Sequence, residues 1–177
     1  AALAQTTDET KLVLSGLGKM GHPAAMELIR PYLEDPAVRE EAELAAQAVR
    51  NATYETSASV RGNASQNAID GDPDTRWDTG GRQQPSQWFM LDLGWPETIA
   101  RITLDATASP NDYPRGYEVY IAEDTDDWGD PVASGEGTEP VTVIECNNAR
   151  GRYIRIVQTG STDVWFWSIH ELTVETE

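Results

Sequence analysis

QWFMLDL at residues 87–93 and TIARITL at residues 98–104 carry the hydrophobic pattern of two β-strands. The alternation in the second stretch predicts that Ala100, Ile102 and Leu104 share one buried face. We predict further strands, separated by loops rich in Gly, Pro, Asn and Asp, at residues 116–122, 141–144, 153–158 and 169–174. Several short strands without intervening helices predict an antiparallel β-sandwich or jelly roll.

The first 50 residues of the 177-residue chain differ in composition from the rest. They contain no Trp, whereas all six Trp residues come later. Apolar residues at helical spacing predict three short helices there, interrupted at Gly21-His22-Pro23 and at Asp35-Pro36. We therefore predict two domains, a helical segment at residues 1–50 and a β domain at residues 51–177.

The net charge of −17 is concentrated in the β domain, where 22 acidic residues outnumber 8 basic ones. Such a surface excludes the basic patch that nucleic-acid binding requires, and it argues against binding to anionic membranes. No apolar run approaches the roughly 18 residues that a membrane span needs. The single cysteine, Cys146, cannot form an intramolecular disulfide, and we predict that it is a small buried apolar residue.

Two stretches of the helical segment, residues 17–25 and 33–42, resemble a HEAT repeat. The matching features are a Gly-x-Pro turn, a Leu-x-Asp-Pro turn and a Val-Arg-x-x-Ala helix start. Such repeats bury their core only by stacking on neighbours. The resemblance therefore implies the last units of a longer solenoid, and a β domain attached to further domains of a larger protein.

The β domain opens at residues 57–62 and then contains five ordered stretches: NAIDGDPDTRW at 67–77, QWFMLDLG at 87–94, YEVYI at 117–121, GRYIRI at 151–156 and WSIHEL at 167–172. Together they resemble a discoidin domain, also called a coagulation factor V/VIII C-type domain, and within that family carbohydrate-binding module family 32. The resemblance implies a mainly β, discoidin-type antiparallel sandwich (jelly roll) behind the short HEAT-like segment. It also implies a polysaccharide or oligosaccharide as partner.

The loop between residues 70 and 75 crowds oxygen atoms from three aspartates and Thr75 around Gly71 and Pro73. Such a loop suits a hard cation such as calcium, although the same residues also favour a plain solvated turn. The resemblance implies a structural calcium ion. Its ligands would be the Asn67 carbonyl, the Asp70 carboxylate, Asp72, Thr75, the His170 carbonyl and the Glu171 carboxylate, with Asp74 outside the set.

Sugar-binding sites combine an aromatic platform with planar side chains that pair with hydroxyl groups. The resemblance places such a site in loops at one end of the sandwich, at Asp78, Asp112, Tyr113, Arg115 and Trp165. We predict Trp165 as the platform, Asp112 and Arg115 as hydroxyl partners, and Tyr113 beside the ring. Asp78 stands where galactose-binding members often carry His, which puts galactose specificity in doubt. A packed Trp165 and an ion-paired Arg115 are the alternatives.

The other tryptophans have structural interpretations. We predict that Trp77, Trp88 and Trp167 belong to the core and that Trp128, in an acidic turn, packs on the surface. Trp167 in particular belongs to the closing motif of the family, two residues after Trp165.

Motifs of catalysis are missing from the sequence: it has no Gly-x-Ser-x-Gly, no His-Glu-x-x-His and no phosphate loop, and its histidines are His22 and His170 alone. We therefore predict a non-catalytic carbohydrate-binding module with a structural calcium site, not an enzyme. Its parent would be a larger, polysaccharide-processing bacterial protein, secreted or located in the periplasm or cell envelope. The alternative is a protein-interaction module built from the HEAT end and the sandwich.

Overall fold

The computed structural model describes residues 6–60 and 62–176 of the chain. It divides into two compact units, the first ending at Tyr54 and the second beginning at Glu55. The first unit is helical, and the second is built from antiparallel strands. The predicted fold class, a discoidin-type β-sandwich preceded by a short helical segment, is therefore confirmed.

Over residues 6–54 the first unit contains three α-helices, α1 (Thr7–Gly18), α2 (Ala24–Ile29) and α3 (Arg39–Thr53), and a short 3-10 helix at Arg30–Tyr32. A reciprocal pair of hydrogen bonds between Thr6 and Glu9 caps the start of α1. Gly18 allows α1 to approach α3 closely, because a Cβ atom there would lie 3.1 Å from the Cα of Ala45. None of the helices in the described ranges is both long and apolar enough to cross a membrane. The likeness to a HEAT repeat beyond this helical content stays a prediction.

Eight strands make up the second unit: β1 (Glu55–Ala58), β2 (Trp77–Asp78), β3 (Trp88–Asp105), β4 (Tyr117–Ala122), β5 (Ala133–Gly135), β6 (Val141–Gln158), β7 (Ser168–Ile169) and β8 (Glu171–Thr176). The main sheet has the order β1-β3-β6-β4-β5, with β8 also paired to β3, and β2 pairs with β7 separately. The stretches predicted as separate strands at 87–93 and 98–104 are both part of β3, and those at 141–144 and 153–158 are both part of β6.

The long strand β3 changes partners along its length. Up to Asp92 it pairs with β1 and the end of β6, and from Ile99 it pairs with β8 and the start of β6. The register shifts between Asp92 and Glu97, where the strand passes from one layer to the other. Buried side chains from the two halves, including Phe89 and Ile102, meet in the core.

The same pairing decides which loops share an end of the sandwich. The start of β3 lies beside the end of β6, which in turn lies beside the start of β4, and the end of β3 lies beside the start of β8. The loops at residues 106–116 and 159–167 therefore gather at one end. The chain enters the unit at Glu55, opposite Asp92, and leaves it at Thr176, opposite Ile99, at the other end.

A β-bulge at Ala100 interrupts the alternation predicted for residues 98–104, so the prediction that Ala100 lies on the buried face is wrong. Ile99 pairs with Thr176 and Arg101 with Glu175, so Ala100 is an extra residue in the ladder. The extra residue reverses the side-chain alternation, so Ile99 is fully buried in place of Ala100. Ile102 and Leu104 are buried as predicted.

Two tryptophans form the centre of the core. Trp77 and Trp167 are fully buried and meet edge to face, with ring centroids 5.0 Å apart. Trp77 also contacts Phe89, with a centroid distance of 5.0 Å. The prediction that these two tryptophans belong to the core is confirmed. Cys146 is fully buried as predicted, and burial raises the pKa of its thiol to about 11.

Trp88 was predicted to be a core residue, and this prediction is wrong. The alternation of β3 turns Phe89 inward and leaves Trp88 half-buried on the outer face. There the guanidinium carbon of Arg155 lies 5.0 Å from the Trp88 ring centroid and 5.5 Å from that of Trp128. This stacking gives Trp128 the surface packing role predicted for it.

Candidate functional site

The residues predicted to bind a ligand lie on three neighbouring segments at one end of the sandwich. Asp78 ends β2, the loop at residues 106–116 joins β3 to β4, and Trp165 lies just before β7. Asp112 connects two of these segments, because its carbonyl accepts from the Ser168 N–H at 3.0 Å and its Oδ2 from the Ser168 hydroxyl at 2.8 Å. The structure thus brings the predicted ligand residues to a common region.

Arg115 stacks on a ring of its own loop. Its guanidinium carbon lies 3.7 Å from the Tyr113 ring centroid, and its Nη2 donates to the Asn111 carbonyl at 2.7 Å. Its Nη1 is buried and donates to no acceptor in the described ranges, where no carboxylate lies within ion-pairing distance of Arg115 either. The ion-paired alternative is therefore not what the described part of the structure contains.

Trp165 has the exposure that a stacking platform needs. It is 41% exposed, while Trp167, two residues later, is fully buried. Val164 beside it is 65% exposed, so this loop presents an apolar tip to solvent. The fully packed alternative for Trp165 does not hold.

Asp78 and Asp112 were predicted to contact a ligand, but both residues are buried. Asp78 is 4% exposed, and its carboxylate accepts from Asn63 Nδ2 at 2.8 Å, from Arg76 Nε at 3.0 Å and from the Gly80 N–H at 2.8 Å. All of these donors belong to the protein. This geometry argues against direct ligand contact by Asp78 and suits a residue that fixes its loop. Asp112 is also buried, with Ser168 as partner.

Replacing Asp78 by alanine is expected to lower the free energy of unfolding by about 2 kcal/mol, because three donors lose a buried charged acceptor. Chemical denaturation measures this change. Asp74→Ala, in the exposed part of the preceding loop, is the control and should change stability by less than about 0.5 kcal/mol. Equal stability of the Asp78→Ala variant and the unmodified chain would contradict the assignment.

Gln83 was not singled out in the sequence, yet it lies between the loop that carries Arg115 and the loop that carries Trp165. Its side chain is fully buried and its Nε2 donates to the carbonyls of Tyr113 at 2.8 Å and Phe166 at 2.7 Å. These two carbonyls follow the residues Asp112 and Trp165 in the chain, so the loops carrying Arg115 and Trp165 are direct neighbours. Local sequence gives no signal for this role, because Gln83 sits in a polar, Pro-containing stretch typical of a loop.

The predicted cation loop brings several oxygen atoms together. The Thr75 hydroxyl lies 2.7 Å from Asp70 Oδ2 and 3.2 Å from the Asp72 carbonyl. The carboxylate of Asp72 instead accepts from the Asp74 N–H at 3.0 Å. Asp72 therefore reaches Thr75 through its carbonyl, while one oxygen of its carboxylate is used in the turn at Asp74.

Glu171 approaches this loop from the last strand. Burial raises the pKa of its carboxyl, and the nearby carboxylates of Asp70, Asp105 and Asp72 raise it further, while a hydrogen bond from the Gly71 N–H lowers it. Its Oε1 is buried and has no hydrogen-bond partner in the described part of the chain. A buried carboxylate oxygen surrounded by acids and lacking a donor fits a cation, so the residues present are compatible with calcium.

Two further predicted calcium ligands, His170 and Asn67, use their side chains in hydrogen bonds within the protein. The His170 ring bonds to the Pro73 carbonyl at 2.8 Å and to the Ser109 hydroxyl at 3.0 Å, which ties the cation loop to the strand that carries Glu171. Asn67 donates its side-chain amide to the Arg76 carbonyl at 3.2 Å. Over residues 6–60 and 62–176, no three His, Cys, Asp or Glu side chains form a metal-binding group, so any ion here depends on carbonyl and hydroxyl oxygens as well.

Comparison with known proteins agrees with this architecture. The family model described as the F5/8 type C domain matches residues 51–172. A curated galactose oxidase from Gibberella zeae is 30% identical over 122 residues, which are 64% of this chain and 18% of that protein. The chain thus spans about a fifth of the length of the curated relative that it matches.

Solved structures with a similar fold include carbohydrate-binding modules. The family 32 module of NanJ from C. perfringens, in complex with galactose, has a TM-score of 0.61 and 23% identity, covering 71% of this chain and 95% of that one. The family 32 module of AlyQ, in complex with 4,5-unsaturated mannuronic acid, has a TM-score of 0.57 and 26% identity, covering 68% of this chain and 93% of that one.

Proposed function

The chain belongs to the F5/8 type C domain family, and from this membership we propose that its β unit is a non-catalytic module that binds a polysaccharide or oligosaccharide. The observation that carries the proposal is the adjacency of the exposed Trp165 to the loop of Arg115, a cation without a carboxylate partner among the described residues. A ring that is open to solvent supplies stacking area for a pyranose. A guanidinium supplies donors for vicinal hydroxyl groups or a carboxylate.

The fold neighbours support a sugar as the class of ligand. One was solved with galactose and another with 4,5-unsaturated mannuronic acid. Modules of this fold thus bind both neutral and acidic sugars. Among the five residues predicted for the site, we assign direct contact to Trp165, Arg115 and Tyr113. Asp112 and Asp78 support the loops that carry them.

The proposal extends to calcium and to the setting of the protein. Calcium would be held by Asp70, Thr75, the Asp72 carbonyl and Glu171, and it would stabilise the contact between the first loop and the last strand. The parent would be a larger bacterial protein that acts on polysaccharides outside the cytoplasm. One curated relative is a galactose oxidase, and the matching part is 18% of its length. This supports a binding module joined to an enzyme.

A glycan array probed with the purified chain at constant calcium tests the proposal. We expect binding to at least one glycan, and titration calorimetry with galactose and with 4,5-unsaturated mannuronic acid then ranks a neutral against an acidic sugar. Weak affinity is expected, since a single exposed ring buries little area. Absence of binding to every immobilised glycan and to both free sugars would contradict carbohydrate recognition.

A protein-interaction module is the second candidate, and one observation favours it. The helical unit exposes large apolar side chains, at Leu12 (74%), Leu44 (66%), Met20 (58%) and Leu28 (56%). Exposed apolar surface of this kind is typical of protein contacts. Two variants, Leu12→Ser and Leu44→Ser, distinguish the two functions. Both should leave any glycan binding unchanged, because neither residue belongs to the proposed sugar site.

A further inference from the structure

The buried amide of Gln83 joins the two loops of the proposed sugar site. We propose that Gln83 is the positioning residue that fixes the loops of Arg115 and Trp165 against each other in the sugar site. This inference rests on the proposed function, because it assigns a role within that same site. Gln83 touches no ligand itself, since its side chain is fully buried.

Every hydrogen-bonding group of the Gln83 side chain is used. Its Oε1 accepts from the Arg115 N–H at 3.0 Å, and its Nε2 donates to the Tyr113 and Phe166 carbonyls. Its backbone N–H donates to the Trp165 carbonyl at 2.9 Å. Gln83 thus bonds to the backbone of all three residues proposed to contact the sugar, and to that of Phe166, the residue after Trp165.

A second glutamine fixes the orientation of that amide. Gln158 Nε2 donates to Gln83 Oε1, while Gln158 Oε1 accepts from the N–H groups of Gly116 and Gly160, each at 3.1 Å. Gln158 is also fully buried. Reversing the Gln83 amide would point its NH2 group at the N–H of Arg115 and its oxygen at two carbonyls, so a single orientation satisfies the network.

The bonds of Gln83 to Tyr113, Arg115, Trp165 and Phe166 end on loops. Its bond to Gln158 ends on the last residue of β6, at the edge of the paired region. Loss of these bonds should therefore loosen the Arg115 and Trp165 loops while the sheet stays ordered. A purely structural role predicts a different outcome, in which stability falls throughout the unit and the folded fraction binds sugar normally. Methionine is the informative substitution, because it keeps the length and volume of glutamine and removes the amide.

The experiment compares Gln83→Met with Gln84→Met, the same change at the exposed neighbour. We expect amide hydrogen exchange at Arg115, followed by NMR, to accelerate roughly tenfold or more in Gln83→Met, as loss of a buried hydrogen bond requires. Exchange at the sheet residue Ile154 should not change. The indole N–H resonance of Trp165, assigned with Trp165→Phe, should shift or broaden, and galactose affinity should fall by a similar factor. Gln84→Met should match the unmodified chain.

Unchanged protection of the Arg115 amide in folded Gln83→Met overturns the inference, as does an equal acceleration of exchange at Ile154. If Gln83→Met does not fold, Gln83→Asn is measured in the same way, because it keeps a buried amide too short to span both loops. The exchange and indole measurements need no sugar. Failure of the unmodified chain to bind galactose or any array glycan therefore counts against the proposed function, while these two measurements still decide the role of Gln83.

Discussion

Replacing Trp165 by alanine is expected to abolish measurable sugar binding without changing the melting temperature. The ring is 41% exposed in the free protein, so its removal leaves little cavity in the core. Burying a large apolar side chain against a ligand contributes about 1.5–3 kcal/mol, which corresponds to a loss of affinity of roughly 10- to 150-fold. For a module that binds weakly, a loss of this size places the affinity below detection in titration calorimetry.

Trp128→Ala is the matched control for this variant. Trp128 is half-buried against Arg155, a residue of β6 whose side chain lies on the outer face of the sheet, away from the loops at residues 106–116 and 159–167. Its removal should therefore leave sugar binding intact. Normal binding by folded Trp165→Ala would show that the platform lies elsewhere, even if the module still recognises carbohydrate.

Calcium is expected to raise the melting temperature of the β unit by several degrees, and a chelator to reverse the change. An ion present at 100 times its dissociation constant adds about 2.7 kcal/mol to the free energy of unfolding. The physical reason is the half-buried Glu171 carboxylate, which lies near the acidic groups of Asp70, Asp105 and Asp72 and whose buried Oε1 lacks a donor in the described ranges. Differential scanning calorimetry with calcium and with chelator measures the shift.

Glu171→Gln should remove the calcium response, and in chelator this variant should melt at or above the temperature of the unmodified chain, since it removes a repelled charge. Glu175→Gln is the control on the same strand, where the carboxylate pairs with Arg101 at the surface. It should respond to calcium like the unmodified chain. Superimposable melting curves with and without calcium would show that residues 70–75 are a plain turn.

The parts of the fold that depend on local pattern were predictable, and those that depend on distant pairing were not. Ile102 and Leu104 follow from alternation alone, whereas Ala100 does not, because a bulge is decided by the partner strand. Trp165 and Arg115 could be proposed from family motifs. The exposure of Trp165, and the lack of a carboxylate partner for Arg115 within residues 6–60 and 62–176, depend on the tertiary structure.

Gln83 illustrates the limit for the site. Its side-chain partners lie 30 to 83 residues away in the chain, so no local spacing links them. A loop glutamine is normally exposed, and only the complete set of acceptors and donors explains its burial. The same holds for Asp78, whose carboxylate was predicted to face a ligand and instead binds Asn63, Arg76 and the Gly80 N–H.

The pairing of β3 with both terminal strands of the unit has a mechanical consequence. Glu55 and Thr176 lie opposite Asp92 and Ile99, at the end of the sandwich away from the loops at residues 106–116 and 159–167. Asp92 is about 10 Å along the strand from Phe89. A polypeptide joined at Glu55 or at Thr176 transmits force directly to β1 or to β8. Tension applied through both points would peel β1 and β8 from β3 one hydrogen bond at a time. A module anchored to a rigid polysaccharide should therefore yield at its tethered strands before it releases its core.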